Sequence, residues 1–396
     1  MPKERTRRKI LVYGGSFDPP HAGHIALLKT GLETVRPDLC HIVPAFVSPF
    51  KSDGANEDFA VRKDLIGRAL KTALSRKQLA GLVIDPFEYE RGEKTYTFQL
   101  LRALSEKYRG AEIFLLMGSD CLLSFNRWYN WREVAARATL VAGRRDDMAD
   151  ISAARQFCSF WTLKGFFPPV SSTAVRAEIY GSGKVPRCVP RKVARRIENL
   201  GLYGLDIHAY LKDRLKPERY RHTLHVARLA SELGRRYGVP EDACALAGLL
   251  HDAGKQYSRA QLRAYCVKHK LMREPWMRTA HDMEPSLLHS FVSADIAARK
   301  FGVHDRDVLR AIESHTLGRA GMTPLEKILF VADISSEERD FPQAHFIRKN
   351  AFKNLDTALF EAAHVKLAWV LKSWKWFCPQ GLKLWNDLLV KAPVRG

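Results

Sequence analysis

The segment Lys9-Ile-Leu-Val-Tyr-Gly-Gly-Ser-Phe-Asp-Pro-Pro-His-Ala-Gly-His24 starts as an apolar strand, turns through glycines and prolines, and continues into a helical pattern. A strand, a glycine-rich loop and a helix in this order are typical of open α/β sheets, which bind ligands at the carboxyl ends of their strands. The glycines let the backbone approach a phosphate closely, and the following helix N-terminus favours negative charge. His21 and His24 can both turn toward phosphate oxygens and stabilise an in-line displacement at phosphorus. A turn with incidental histidines is the plainer interpretation, and the length of the whole string argues against it.

The first half of the chain alternates strand-like and helical segments, which predicts a parallel sheet flanked by helices. The predicted strands are Lys9–Tyr13, His41–Pro44, Leu82–Ile84, Ile113–Met117, Thr139–Ala142 and Phe160–Leu163. The predicted helices are Gly23–Val35, Asp58–Ser75, Thr97–Tyr108, Trp131–Arg137, Ser172–Tyr180 and Arg191–Leu200.

After Gly201-Leu-Tyr-Gly204 nearly every segment has helical periodicity, which predicts an all-α second domain. Its predicted helices are Glu218–Tyr237, Pro240–His251, Arg259–His269, Pro285–Phe301, Asp305–Ser314, Pro324–Asp333 and Asn354–Lys372. We therefore expect two domains, residues 1–206 and 207–396.

Composition narrows the classes of protein. A chain of 396 residues exceeds what one core of about 250–300 residues serves, and its apolar runs are too short to span a bilayer. The seven cysteines are scattered and form no CxxC pair, and the basic N-terminus lacks the apolar region of a signal peptide. We therefore expect a cytoplasmic protein. The net charge of +21 suits polyanionic ligands, either nucleotides or nucleic acid, although no nucleic-acid recognition module is visible.

A second candidate phosphate site is Val170-Ser-Ser-Thr-Ala-Val-Arg176, where hydroxyls begin a helix and Arg176 follows one turn later. This arrangement suits the β- and γ-phosphates of ATP. Taken alone, it also fits an N-cap followed by a solvated arginine.

Together these segments resemble the nucleotidyltransferase superfamily with its HxGH motif, and within it the nicotinate mononucleotide adenylyltransferases. Further matching stretches are Pro44-Ala-Phe-Val-Ser-Pro-Phe-Lys51, Tyr96-Thr97, Met117-Gly-Ser-Asp120 and Arg127-Trp-Tyr-Asn-Trp131. The resemblance implies a doubly wound parallel sheet. It also implies a reaction with Mg²⁺ that joins nicotinate mononucleotide to the AMP part of ATP and releases pyrophosphate.

The resemblance also implies roles for individual residues. His21, His24 and Arg176 would be catalytic. The implied ATP- or substrate-binding residues are Gly14, Gly15, Ser16, Phe17, Lys51, Thr97, Gly118, Asp120, Trp128, Ser172 and Thr173. Trp128 would face the pyridine ring, whereas Trp131 equally fits a core position.

One departure concerns the acceptor, because Phe50 stands where the family usually has histidine. This difference keeps the amidated mononucleotide open as an alternative acceptor. More distant relatives adenylate pantetheine phosphate or flavin mononucleotide. The Arg-Trp-Tyr-Asn-Trp stretch favours a pyridine nucleotide.

In the second half, His222, the pair His251-Asp252 and Asp333 lie on or at the ends of predicted helices. Helical bundles build metal sites from ligands on facing helices. Imidazole and carboxylate donors without nearby cysteines suit Fe, Mn, Ni or Mg better than structural zinc. Ordinary core or surface roles are assigned to His225, His269, His281, His304 and His364.

These pieces resemble the HD phosphohydrolase superfamily, in particular the bacterial YqeK branch, which hydrolyses diadenosine tetraphosphate symmetrically to two ADP. The matching stretches are Arg221-His-Thr223, Gly248–Lys255, Leu287-Leu-His289, Ser314–Lys327 and Phe330-Val-Ala-Asp333. The resemblance implies a di-iron or other divalent-metal centre held by His222, His251, Asp252, His289, His315 and Asp333. Asp252 and Lys255 would be catalytic, and Arg319 would bind substrate phosphate or be solvated.

Three interpretations of the whole chain follow. The first is a bifunctional enzyme that uses ATP, nicotinate mononucleotide and diadenosine tetraphosphate. The second is an adenylyltransferase whose HD domain senses nucleotides or acts on another phosphorylated nucleotide. The third is an RNA-associated protein. The sequence leaves the oligomeric state open, including a homo-oligomer.

Overall fold

The computed structural model describes residues 7–46, 57–144, 150–165 and 167–391. Its contacts divide the chain into two units, Met1–Val175 with Val185–Leu200, and Arg176–Lys184 with Gly201–Gly396. The predicted domain boundary between residues 206 and 207 falls in the first turn of a helix of the second unit. Within the described ranges, no helix combines the length and apolar character needed to cross a membrane.

The first unit is built on a six-stranded parallel sheet with the order β3-β2-β1-β4-β5-β6. The strands are β1 (Lys9–Gly15), β2 (Leu39–Pro44), β3 (Leu82–Ile84), β4 (Glu112–Gly118), β5 (Thr139–Gly143) and β6 (Phe160–Leu163). Each predicted strand is confirmed, and so is the doubly wound parallel arrangement. The strand order reverses between β1 and β4, which is the point where such sheets bind ligands.

Both faces of the central strand are buried. Ile10 and Val12 pack in one hydrophobic core, and Leu11 and Tyr13 pack in a second core on the other face. A strand covered on both faces has a continuous apolar sequence rather than an alternating one. This explains why the run that precedes the glycines is uniformly hydrophobic.

Helices flank the sheet as predicted, with three short additions. The helices beginning in this unit are α1 (Ala22–Val35), α2 (Phe59–Ala73), α3 (Arg76–Ala80), α4 (Phe87–Arg91), α5 (Thr97–Lys107), α6 (Ser119–Leu123), α7 (Trp131–Arg137), α8 (Ser172–Ser182) and α9 (Arg191–Leu200). The sequence did not predict α3, α4 and α6, because five residues are too few to show a helical period.

The described part of the second unit is helical. Its helices are α10 (Leu205–Arg214), α11 (Pro217–Tyr237), α12 (Glu241–Leu250), α13 (Arg259–Lys268), α14 (Pro275–Met283), α15 (His289–Phe301), α16 (Arg306–Ser314), α17 (Pro324–Ser335), α18 (Pro342–Ala351), α19 (Leu355–Lys372) and α20 (Pro379–Lys391). The prediction of one helix over Pro285–Phe301 is wrong, because Pro285–Leu288 is a separate 3₁₀ turn and α15 starts at His289.

Close backbone packing positions two of the helices that carry predicted metal ligands, α11 and α12. A Cβ added at Gly248 would lie 2.6 Å from the Cα of Ala227, so glycine is needed where α12 crosses α11. His251 follows at the end of α12, and His222 lies on α11. The helix crossing therefore carries both histidines toward the same region of the core.

Candidate nucleotide and metal sites

The loop that follows β1 carries the HxGH histidines. His21 is the N-cap of α1, and the rings of His21 and His24 lie against each other at a tilt of 31°, with their centroids 3.7 Å apart. His21 is buried and His24 is half-buried. The hydroxyl of Ser172, at the start of α8, donates to the carbonyl of Pro19 at 2.9 Å. The structure thus joins the two segments that the sequence predicted as phosphate sites.

The glycine between the histidines is required by packing. A Cβ on Gly23 would lie 3.0 Å from the carbonyl oxygen of Pro168 and 3.2 Å from the ring of His21. Any side chain here would push His21 or the neighbouring loop out of place. The spacing of the motif therefore follows from the close approach of α1 to the segment before α8.

Arg62 on α2 is a site residue that the sequence interpretation missed. Its guanidinium is buried and donates to the carbonyl of Ser16 at 2.9 Å and to the carbonyl of Ala45 at 2.7 Å. Arg62 therefore holds together the loops that leave β1 and β2. The available signal was a cation on the helix face that also carries the buried residues Phe59 and Ile66.

The remaining predicted nucleotide contacts lie near the end of β4. Gly118 ends this strand as the N-cap of α6, and the exposed Asp120 lies in the first turn of that helix. Because β4 pairs with β1, Gly118 ends at the same edge of the sheet as the HxGH loop. Thr97 is the half-buried first residue of α5.

The two predicted tryptophans differ in their surroundings. The ring of Trp128 lies 5.5 Å from that of Phe125, and its indole nitrogen is buried without a hydrogen-bond partner among the described residues. Trp131 packs edge-on against both Phe125 and Phe157. The structure thus gives Trp131 the core contacts that were one of its two interpretations, and Trp128 keeps a donor available for a ligand.

Of two other residues predicted to contact phosphate, Arg176 and Lys51, the structure describes only Arg176. Lys51 and its neighbour Phe50 lie outside the described residues. Arg176 is buried and belongs to the second unit by its contacts, where its Nε donates to Asp242 Oδ2 at 2.9 Å. Thr173 lies next to Ser172 in the first turn of α8.

The six predicted metal ligands converge in the second unit. They come from α11 (His222), the end of α12 (His251 and Asp252), the start of α15 (His289), the end of α16 (His315) and α17 (Asp333). Two ligand groups share His251, one with His222 and Asp333 and the other with Asp252 and His315. His289 joins the second group, because its Nε2 lies 3.1 Å from Asp252 Oδ1 and 3.1 Å from His315 Nε2.

The protonation of three of these histidines follows from their backbone contacts. In His251, His289 and His315, Nδ1 lies 2.6–2.7 Å from the carbonyl oxygen three residues earlier. A carbonyl only accepts, so Nδ1 carries the hydrogen and the Nε2 lone pair faces the cluster. Among the described residues, the buried Nε2 of His251 has no hydrogen-bond partner. Lone pairs that face one another in a buried space fit a cation between them, which is the tautomer arrangement typical of metal ligands.

Burial and charge prepare the cluster for a divalent ion. Burial lowers the pKa of His251 to about 3 and that of His289 to about 4, so both are neutral at neutral pH. Burial alone raises the pKa of Asp252, but His251 and His289 outweigh it and hold this pKa well below its usual range. The neutral imidazoles of His251 and His289 therefore lie beside the charged carboxylate of Asp252. Burial alone lowers the pKa of His222, but hydrogen bonds to Asp333 and Glu338 outweigh it and raise this pKa to about 9. The residues present fit a divalent-metal centre.

A second set of residues orients these ligands. The Nζ of Lys366 on α19 donates to Asp333 Oδ2 at 3.2 Å and to the carbonyl of His315 at 2.8 Å. Arg219 donates to Asp252 Oδ2 at 2.8 Å. On the opposite side of His222 from Asp333, Nδ1 is hydrogen-bonded to the carboxylate of Glu338. Sequence reasoning missed these supporting groups, because only the folded contacts show which of many surface-type charges face inward.

The two residues of this unit that are predicted to contact substrate phosphate, Lys255 and Arg319, differ in their surroundings. Lys255 is exposed in the turn Ala253–Gln256, and its charge contributes to lowering the pKa of His289, so it lies close to the cluster. Arg319 is already paired with the fully buried Glu326, with Nε 2.6 Å from Oε1. Arg319 therefore holds its own loop in place. A contact with substrate would use guanidinium N–H groups that do not bond Glu326.

Comparison with known proteins agrees with both halves of this description. The cytidylyltransferase-like family model matches residues 12–178, and the HD domain model matches residues 219–337. A Mycoplasma pneumoniae protein named probable nicotinate-nucleotide adenylyltransferase/Ap4A hydrolase is 25% identical over 324 residues, covering 82% of this chain and 87% of that protein.

Relatives of the separate halves are more similar. The symmetrical bis(5'-nucleosyl)-tetraphosphatase of Bacillus subtilis is 34% identical over 41% of this chain and 86% of its own length. The probable nicotinate-nucleotide adenylyltransferase of Aquifex aeolicus is 35% identical over 35% of this chain and 79% of its own length. The chain belongs both to the nicotinate-nucleotide adenylyltransferase family and to the HD-domain family of symmetrical bis(5'-nucleosyl)-tetraphosphatases, joined in one polypeptide.

Proposed function

We propose that the chain is a bifunctional enzyme that synthesises a pyridine dinucleotide and hydrolyses diadenosine tetraphosphate. The first activity joins nicotinate mononucleotide to the AMP part of ATP, giving deamido-NAD and pyrophosphate. The second is metal-dependent and yields two ADP. The observation that carries the hydrolase proposal is the inward-facing Nε2 lone pairs of three buried histidines. The closely packed rings of His21 and His24 beside the sheet's switch point carry the transferase proposal.

Adenylyl transfer at this site needs no protein nucleophile. A phosphate oxygen of the mononucleotide attacks the α-phosphorus of ATP, the new P–O bond forms, and the bond to the bridging oxygen breaks to release pyrophosphate. His21 and His24 donate hydrogen bonds to the phosphate oxygens as charge builds up there. The N-terminus of α1 adds its partial positive charge.

Magnesium is proposed to enter this site with ATP. Among the described residues, the groups of three or more side chains able to hold an ion lie in the second unit. Mg²⁺ is commonly bound through substrate phosphates with few protein ligands. Such an ion would neutralise charge on the leaving pyrophosphate.

In the hydrolase unit, His222, His251, Asp252 and Asp333 would hold one ion, and His289 and His315 would bring in a second. Iron is the proposed metal, and manganese fits the same donors. Such ions polarise a phosphate and lower the pKa of water into the neutral range. Lys255 neutralises phosphate charge, while Arg219 and Lys366 hold the two carboxylates in place.

The transferase proposal is tested by incubating the chain with ATP, Mg²⁺ and either nicotinate mononucleotide or its amide. Deamido-NAD and pyrophosphate in equal amounts are expected from the nicotinate compound. Faster synthesis with the amide would identify nicotinamide mononucleotide as the acceptor instead. Failure with both, while pantetheine phosphate or flavin mononucleotide is adenylated, would contradict the pyridine-nucleotide assignment.

The metal proposal is tested by elemental analysis. Protein purified without chelator should contain about two divalent ions per chain. Removing them should abolish ADP release from diadenosine tetraphosphate, and Fe²⁺ or Mn²⁺ should restore it. A domain that only senses nucleotides would bind the compound and release no ADP above the metal-free control.

A cytoplasmic location remains a prediction from the sequence.

A further inference from the structure

A cavity of about 530 Å³ in the second unit adjoins the segment that carries His315. Ser314, directly before this ligand, lines the cavity together with the residues from Leu317 to Ala320 that follow it. The volume lies within the range of about 300–1,000 Å³ typical of pockets for small organic ligands. The cavity is therefore lined by residues adjacent in sequence to the predicted metal ligand His315.

The cavity offers aromatic surface and an unsatisfied donor. The rings of Trp276 and Phe291 both line it and lie 5.7 Å apart. Trp276 is only 8% exposed, and its Nε1 is buried without a hydrogen-bond partner in the described part of the chain. Leaving such a donor unpaired is costly, so an acceptor on a bound ligand would satisfy it.

The charged groups of the cavity are of both signs. The carboxylate of Glu313, one-third exposed, lies 3.8 Å from Arg273 Nη1, and the cations Arg310, Arg319 and Lys383 line the same cavity. Arg319 is held in position by its ion pair with Glu326. An aromatic surface with a donor and an acceptor suits a purine base, and the cations suit a phosphate chain.

We propose that this cavity binds one purine nucleoside of the dinucleoside polyphosphate substrate. The base packs against Trp276 and Phe291, the Nε1–H of Trp276 donates to an acceptor on the base, and Glu313 accepts from a base N–H group. The phosphate chain leaves past the cations toward the ligands around His315. This inference rests on the proposed hydrolase activity and names the part of the site that selects the substrate.

The kinetic test is Trp276→Phe, which keeps an aromatic ring and removes the N–H. The KM for diadenosine tetraphosphate should rise about fivefold to tenfold, with kcat and metal content unchanged, because one hydrogen bond to the base is lost. Trp385→Phe is the matched control, because Trp385 stacks on Phe360. An unchanged KM in Trp276→Phe, or an equal change in the control, would overturn the proposal.

The choice of base is tested with diadenosine, diguanosine and diuridine tetraphosphates. Wild-type protein should have a lower KM for a purine compound than for the uridine compound. Trp276→Phe should reduce this difference in KM. The better purine then identifies the base. Equal KM values for purine and uridine compounds in the wild type would contradict a purine site.

A labelling experiment separates this proposal from the hydrolase activity. After irradiation with 8-azido-ADP, peptides containing Trp276 or Phe291 should be labelled, and excess ADP should prevent it. If the protein hydrolyses none of the dinucleotides, the proposed hydrolase function fails, and labelling still decides whether the cavity binds a purine nucleotide. Labelling confined to the first unit would overturn the cavity proposal.

Discussion

The two candidate sites collect their side chains in opposite ways. The histidines of the transferase site lie within one loop and the first turn of one helix. The ligands of the metal cluster are spread from His222 to Asp333 and come together only when several helices pack. Phosphate binding relies largely on backbone and a helix end, so one loop suffices. A metal centre needs donors from several directions, so distant parts of the chain must converge.

The histidines of the two sites also differ in how exposed they are to solvent. His24 is half-buried at the rim of a sheet, where large nucleotides have to enter. His251 is fully buried, and both ligand groups of the cluster depend on it. Changing the transferase histidines should therefore affect one reaction, whereas changing the cluster should affect metal content first and activity as a consequence.

The largest expected effect is that of His251→Ala, which removes the ligand shared by both groups. Metal affinity should fall by more than about 100-fold, because loss of a direct ligand exceeds the 10–100-fold cost of losing a supporting residue. Hydrolysis should be lost to a similar extent. Metal content and both activities are measured on the same preparation.

The control for this variant is His281→Ala, whose histidine bonds its neighbour Asp282 rather than the cluster. It should keep its metal and both activities. Loss of adenylyl transfer in His251→Ala would show that the two sites are not independent.

His24→Ala should reduce dinucleotide synthesis by about 10²–10³-fold, the usual cost of one lost donor to transition-state charge. Hydrolysis of diadenosine tetraphosphate should remain within twofold of wild type. His304→Ala, an exposed histidine, serves as the control. An undiminished rate of synthesis in His24→Ala would argue against the proposed role of the HxGH loop.

Lys366→Gln changes a residue that supports the cluster instead of a predicted metal ligand. Its contacts to Asp333 and to the carbonyl of His315 would be lost or weakened. Metal affinity, measured by competition with a chelating dye, should fall about 10–100-fold. Lys372→Gln, on the exposed end of the same helix, should change nothing. A normal affinity in Lys366→Gln would mean that packing alone positions Asp333.

The smallest effect concerns Glu88 in the first unit, whose pKa burial raises to about 7 from an ordinary 4.5. The folded chain therefore binds this proton more tightly than the unfolded chain, and stability falls as the pH rises from about 4.5 to 7. Glu88→Gln should remove this dependence and stabilise the first unit by about 1–2 kcal/mol at pH 8, allowing for partial solvent screening.

Thermal unfolding at pH 5 and pH 8 measures this effect. Glu90→Gln, an exposed neighbour on the same helix, is the control and should behave as wild type. A larger gain at pH 5 than at pH 8 would contradict the sign of the effect.

Much of the fold could be predicted because its elements carry strong local patterns. β1 is a continuous apolar run, since both of its faces are buried, and α11 has a clear apolar face. Short elements such as α6 were missed because they are shorter than two helical turns. The turn before His289 was missed because its residues continue the apolar pattern of the helix.

Candidate ligands were predictable where a motif fixes them, as at His21, His24 and His251. Residues that act through tertiary contacts were not. Arg62 and Lys366 look like ordinary surface cations in sequence, and only the folded chain shows the carbonyls and carboxylates that they bind. The pairing of Arg176 with Asp242 likewise depends on residues far apart in sequence.

We propose that one chain holds two separate reaction centres, the second of them a metal-dependent symmetric hydrolase. The most direct measurement is anion-exchange analysis of diadenosine tetraphosphate incubated with Fe²⁺- or Mn²⁺-loaded full-length chain, with metal-stripped protein in parallel. We predict two ADP for each molecule consumed, and none without metal. Formation of ATP and AMP, equal rates without metal, or an inert loaded protein would contradict the claim.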